Sequence, residues 1–177
     1  MFEYASKGSL DTFFKSEQSR ATLSSETRLQ IMSDIICAIH YLHTGTKDNL
    51  GLFHRDIKSA NICLDQNYTA KLIDYGLAKF VLVDDSNETS ANSFSVQITS
   101  NGGVFGSRGY VCPRYSMGVY KFEASCDVYS FGIVMIELVT GCIQNDRTRL
   151  GNSLNTTSQV ILKETLMRHW NWQFQNW

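Results

Sequence analysis

The stretch from Phe53 to Asp65, FHRDIKSANICLD, constrains this chain more than any other, because it sets a carboxylate, a lysine and an asparagine at Asp56, Lys58 and Asn61. These positions stand at i, i+2 and i+5. Residues i and i+2 do not share a helical face, so the spacing calls for a loop. A base or orienting carboxylate, a cation and a neutral oxygen ligand gathered on one loop are what positioning a polyphosphate and its Mg²⁺ requires. Asp74, at the head of Asp74-Tyr75-Gly76, follows in the chain and supplies a second hard-oxygen ligand.

The segments around this loop are chosen to bring those groups together. Ile62-Cys63-Leu64 and Ala70-Lys71-Leu72-Ile73 read as two short strands about the turn residues Asp65-Gln66-Asn67, a hairpin whose open end unites Asn61 with Asp74. Upstream, Ser9 or Asp11 caps a short helix containing Leu10, Phe13 and Phe14. Ser24 caps a longer one with apolar residues at Leu29, Met32, Ile35, Ile36, Ile39 and Leu42, three and four apart, which must bury one face. His40 and His43 near its end read as packing or surface residues, since no carboxylate or cysteine cluster accompanies them. Glu123 opens a helix that is apolar nearly all round and runs to about Gly141, so it belongs in the interior.

The motif set HRDxKxxN followed by a D-F-G-like triplet resembles the catalytic and metal-binding loops of eukaryotic protein kinases. HRDIKSANICLD, the Tyr41-Leu42-His43 helix ending and Asp127-Val128-Tyr129-Ser130-Phe131-Gly132 are most similar to the tyrosine-kinase-like group, which includes Pelle, interleukin-receptor-associated and plant receptor-like kinases. The resemblance implies an α+β protein-kinase-like fold: a mainly helical C-lobe with a short β-hairpin after the catalytic loop, and no N-lobe β-sheet within this chain. It covers roughly residues 1–144, a partial kinase domain from hinge to central helix. Residues 145–177 are an unassigned tail with a candidate amphipathic helix over 160–170.

Carried over residue by residue, the resemblance makes Asp56 and Lys58 catalytic, and Asn61 and Asp74 metal ligands. Glu3, Ala5, Ser9 and Cys63 fall on the nucleotide side, with Phe2 as gatekeeper and Cys63 beneath the adenine. His54, Arg55 and Asp127 support the catalytic loop. The polar stretch 84–93 belongs to a long activation segment in which Thr99 and Ser100 are phosphosite candidates, a phosphate there being placed to pair with Arg55. Ser107 lies in the substrate-docking loop. Cys112-Pro113-Arg114 departs from the family's A-P-E, whose Glu pairs with a distant arginine. Lys58, two residues after the acid, favours serine/threonine over tyrosine acceptors. ATP and Mg²⁺ are the implied cofactors, with a protein substrate and an upstream receptor or adaptor as partners.

Bulk properties narrow the alternatives. A length of 177 residues with 43% hydrophobic content suffices for one core. A net charge of −1 gives no basis for binding nucleic acid or an anionic membrane. Five dispersed cysteines without a C-x-x-C pair read as reduced thiols, and the start MFEYASKGSL lacks the pattern of a signal peptide, so a cytoplasmic location is expected. The longest apolar run, 131–139, is too short to span a bilayer and contains Glu137, so no membrane segment is expected. A Gly-rich phosphate loop, a V-A-I-K lysine and a helix glutamate do not precede Phe2 in the sequence. Two functions therefore stand open, a Ser/Thr kinase fragment and a kinase-fold interaction module without turnover.

Overall fold

The structure, a computed structural model, describes residues 5–44, 50–82, 95–96, 104–117 and 122–143. Among the described residues helices outweigh strands: α1 (Leu10–Lys15), α2 (Glu17–Ala21), α3 (Ser25–Thr44), α4 (Pro113–Ser116) and α5 (Ala124–Thr140). The strands are short. β1 (Gly8–Ser9), β3 (Ile62–Leu64) and β4 (Ala70–Leu72) form one antiparallel sheet in the order β1-β3-β4. β2 (Leu50–Phe53) pairs with β5 (Lys79–Leu82), and β6 (Ser95–Val96) with β7 (Phe122–Glu123). This is the α+β arrangement expected, with short strands and more helix than strand among the described residues.

The cap at Ser24 forms as its position suggests, its hydroxyl accepting the Thr27 N–H at 3.2 Å. α3 buries Ile31, Met32, Ile35 and Ile39. Leu29, expected on that face, is instead 65% exposed. At 100° per residue it lies about 105° from the centre of the buried arc, so a spacing of three from Met32 was not enough to place it inside. α3 packs on α5, and Phe131, Val134 and Leu138 complete the main core with Leu10 and Phe14 of α1.

The C-terminus of α5 is closed twice over. Gly141 adopts φ +69°, donates its N–H to Glu137 O at 2.7 Å, and leaves only 3.3 Å between a hypothetical Cβ and Arg20 Cδ. Arg20 Nη1 then donates to Gly141 O at 3.2 Å, and Arg28 Nη1 donates to Leu138 O. Two guanidinium groups thus meet the carbonyl end of the helix, where cations are favoured.

The hairpin is the one read from the sequence, with Ile62 opposite Leu72 and Leu64 opposite Ala70. Asp65 sets its turn by accepting N–H groups from Asn67 at 2.8 Å and Thr69 at 2.9 Å. Asp34 of α3 accepts the Ala70 N–H at 2.9 Å and fastens the hairpin to the helical core. Just ahead of α1, Gly8 and Ser9 bridge to β3. The left-handed φ of +81° at Gly8 is what lets the chain turn into that pairing. A second cluster joins Phe53, Val81, Cys112, Tyr115, Phe122 and Cys126. Arg114 is on the exposed side of α4.

Phe131→Ala should cost about 3–5 kcal/mol, because its ring is 1% exposed at the centre of the core. Leu29→Ala should stay within about 0.5 kcal/mol. Urea denaturation of both variants checks the pair, and comparable losses at the two positions would contradict this assignment of the buried face.

Candidate active site

Asp127, in the first turn of α5, is fully buried and is the centre on which the His54–Asn61 loop hangs. Its Oδ2 accepts the His54 N–H at 2.9 Å, and its Oδ1 accepts the Arg55 N–H at 2.9 Å. His43 Nε2 donates to Oδ2, also at 2.9 Å. Apolar surroundings make such a carboxylate costly unless it is fully hydrogen-bonded, and these three donors meet that condition. They also hold Arg55 at φ +70°, a left-handed conformation that costs an arginine about 1–3 kcal/mol.

Along the loop, His54 accepts the Asp56 N–H at Nδ1 (3.3 Å), which leaves Nε2 as the donor to Ile73 O at 3.0 Å. One tautomer therefore links the loop to the chain just before Asp74. Asp56 is 8% exposed and gathers three partners. Its Oδ1 accepts the Ser107 N–H at 2.9 Å, and its Oδ2 accepts Lys58 Nζ at 2.7 Å and Asn61 Nδ2 at 3.2 Å. Lys58 Nζ also donates to Ser107 Oγ at 2.8 Å. Burial pushes the Asp56 carboxyl upward, but the hydrogen bonds from Lys58 and Ser107 and the Lys58 charge outweigh it and hold the group below the ordinary carboxylate value.

Asn61 is tied at Nδ2 to the Asp56 carbonyl at 2.8 Å, so its amide oxygen is the atom it can offer to a cation. Its main-chain carbonyl accepts the Ile73 N–H at 2.9 Å, which brings it to the strand end that precedes Asp74. Asp74 is exposed at φ +64°, and its Oδ1 accepts the Gly76 N–H at 3.3 Å. Among the described residues no three His, Cys, Asp or Glu side chains form a metal cluster. An asparagine and an aspartate on adjoining segments fit a cation that keeps waters and takes phosphate oxygens, as Mg²⁺ does, better than one needing a full protein cage.

On the side expected to meet the nucleotide, Ala5 accepts the Gly8 N–H at 3.3 Å, and Ser9 Oγ donates to Asp11 at 2.5 Å. Cys63 is half-buried opposite Ser9, and burial first, then the Asp11 charge, pushes its thiol up, as suits a packing residue. Phe2, Glu3, Thr99, Ser100 and the tail 145–177 lie outside the described residues. Ser107 meets Asp56 and Lys58 as above, and the segment bearing it is anchored further on. Tyr110 donates to buried Glu137 at 2.6 Å and lies 3.2 Å from Ser59 Oγ, while Ser130 Oγ donates to Tyr110 O at 2.9 Å.

The sequence reading missed His43 as a partner of Asp127. The two are 84 residues apart in the chain, and a lone histidine at a helix end carries no signal of what it will meet.

This chain belongs to the protein kinase family: the protein kinase domain matches residues 1–176. It is 40% identical over 149 residues to a probable LRR receptor-like serine/threonine-protein kinase of Arabidopsis thaliana, covering 84% of this chain and 15% of that protein. It is 38% identical over 139 residues to calmodulin-binding receptor-like cytoplasmic kinase 2 of the same plant, covering 78% of this chain and 31% of the relative. With the probable serine/threonine-protein kinase PBL26 of Arabidopsis thaliana it shares 36% identity over 167 residues, 93% of this chain and 37% of the relative. The chain thus spans well under half the length of these relatives, and it is a eukaryotic protein kinase domain of the receptor-like and Pelle type.

Asp127→Asn should destabilise the chain by at least about 2 kcal/mol, since the introduced amide NH₂ opposes buried N–H donors. A loss below about 0.5 kcal/mol in urea denaturation would mean the carboxylate is not their anchor.

Because the folded Asp56 carboxyl lies below its unfolded value, its contribution is present above about pH 3.9 and lost as pH falls through the lower folded value. Asp56→Asn should therefore flatten the acid limb of the stability curve. An unchanged limb, followed by circular dichroism, would contradict the depressed carboxyl.

Proposed function

We propose that this chain is the substrate- and metal-binding portion of a protein serine/threonine kinase that transfers the ATP γ-phosphoryl group to a protein hydroxyl. The observation that carries this reading is the set of contacts at Asp56: one buried carboxylate holding Lys58, Asn61 and the Ser107 N–H at once. Asp56 orients the acceptor hydroxyl and takes up its proton as the new P–O bond forms. Lys58, between Asp56 and Ser107, steadies the transferred phosphoryl. Asn61 Oδ1 and the Asp74 carboxylate hold Mg²⁺, which when bound neutralises charge on the phosphate oxygens. Ala5 and Ser9 meet the nucleotide and Cys63 packs beneath the base, while Glu3, outside the described residues, is assigned to the same side by the family resemblance alone.

Serine/threonine specificity is supported by Lys58 and by the probable serine/threonine-protein kinases among the relatives. Among the described residues no helix is long and apolar enough to cross a membrane, and one relative is described as a receptor-like cytoplasmic kinase. A cytoplasmic site of action, with a protein substrate and an upstream receptor or adaptor, follows as part of the proposal. Arg55 adds a regulatory element. Its guanidinium stacks 4.9 Å from the Phe105 ring, and among the described residues its buried Nε and Nη2 have no hydrogen-bond partner. A phosphate on Thr99 or Ser100 would satisfy those donors.

The Gly-rich loop and the V-A-I-K lysine do not occur ahead of the hinge within these residues, so the 177-residue chain by itself leaves ATP phosphates solvated. Calorimetry on this chain should give Mg²⁺-ATP binding no tighter than about millimolar, with no autophosphorylation. A micromolar dissociation constant or measurable turnover would contradict this.

In a form joined to a lobe carrying those motifs, Asp56→Asn should lower phosphotransfer by at least about 10²-fold. Nucleotide affinity should change little, because Asn61 and Asp74 rather than Asp56 face the metal. Turnover near wild type would refute the role given to Asp56, and activity absent even with Asp56 intact would favour an interaction module.

A further inference from the structure

Ser107, Arg108, Gly109 and Tyr110 form a tight turn against the Asp56 loop, closed by the Tyr110 N–H donating to Ser107 O at 3.1 Å. Gly109 has φ +93°, the left-handed value that the third residue of a type II turn needs. Both ends of this turn are fixed. Ser107 donates its N–H to Asp56 Oδ1 at 2.9 Å, and its hydroxyl accepts Lys58 Nζ at 2.8 Å. Tyr110 is 6% exposed, donates to Glu137 of α5 at 2.6 Å, and accepts the Ser130 hydroxyl on its carbonyl at 2.9 Å.

Arg108 is the exposed second residue of that turn. The stiff backbone on either side presents a permanent positive charge one residue from Ser107, and so beside Asp56. The neighbouring cations are already engaged. Lys58 is held between Asp56 and Ser107, and the Arg55 guanidinium lies over the Phe105 and Phe122 rings at 4.9 and 5.6 Å. Among the described residues no acidic side chain forms an ion pair with Arg108.

We infer that Arg108 sets substrate choice at this site by pairing with the carboxylate of an aspartate or glutamate flanking the acceptor serine or threonine. The inference rests on the reading of Asp56 as the group that meets the acceptor hydroxyl. With that hydroxyl at Asp56 and the substrate extended at about 3.5 Å per residue, a residue one or two positions from the acceptor passes the Ser107–Arg108 peptide. A planar guanidinium takes a carboxylate there through two parallel N–H···O bonds. A lysine at the same place in a substrate would meet a like charge, so the turn selects against basic sequences as well as for acidic ones.

The test is fluorescence anisotropy on the whole 177-residue chain with labelled peptides that differ only in the residues flanking a central serine: glutamate, alanine or lysine. A further peptide carries its glutamates at the two ends instead. The glutamate-flanked peptide should bind at least about tenfold tighter than the lysine-flanked one, the scale of one charge-assisted hydrogen bond. Moving the glutamates to the ends should remove the gain over alanine. Arg108→Ala should bring the glutamate and alanine peptides together, and Arg108→Glu should reverse the order. Equal affinities for the glutamate and lysine peptides, no binding of the glutamate peptide, or a preference that survives Arg108→Glu would overturn the inference. The wild-type series decides even where a variant fails to fold. Binding is read without turnover, so absent phosphotransfer in a lobe-joined form would sink the role of Asp56 and leave this preference standing, whereas equal affinities would sink the preference alone.

Discussion

Everything at the site depends on one buried carboxylate. Asp127 receives two main-chain N–H groups from the His54–Arg55 peptide segment and the His43 imidazole from α3. Without that acceptor, Arg55 has no reason to remain at positive φ, because the left-handed conformation costs it energy that local sequence does not return. Holding that residue there turns the chain so that Asp56 and Lys58 face Ser107, while Asn61 leads into β3 and accepts the N–H of Ile73, the residue before Asp74. The helix α5 can supply the acceptor because its remaining face is apolar, and because glycine and two arginines close its far end.

A hierarchy of stiffness follows from this. α3 and α5 form the rigid floor, and the hairpin β3–β4 is fastened to it through Asp34. The loop is suspended between floor and hairpin by polar contacts on both sides, from Asp127 below and the Ile73 carbonyl alongside. Buried polar networks of this kind specify one arrangement when every member is satisfied. Asp56 meets that standard, with a partner for each carboxylate oxygen. Arg55 does not among the described residues, where two of its nitrogens have no acceptor.

Much of this was legible in the sequence wherever the signal is local. Asp56, Lys58 and Asn61 share one loop, Asp65-Gln66-Asn67 announces the hairpin turn, and Ser24 marks the start of α3. What could not be read depends on contacts between distant segments. His43 to Asp127 and Arg20 to Gly141 are fixed by how helices cross, and no short window encodes that. Leu29 failed for a related reason: helical spacing tells which residues share a face, whereas packing decides where that face ends. The β2–β5 pair escaped notice because each strand has only four residues and acquires its partner across the loop between them.

The anchoring by Asp127 is tested most directly by amide hydrogen exchange at His54 and Arg55. Both N–H groups sit in a loop, where exchange is ordinarily fast, yet both donate to a fully buried carboxylate. The expected result is protection comparable to that of core amides in α5, lost at both positions together in Asp127→Asn. Rapid exchange at His54 and Arg55 in the wild-type chain would show that the loop is held by something other than Asp127.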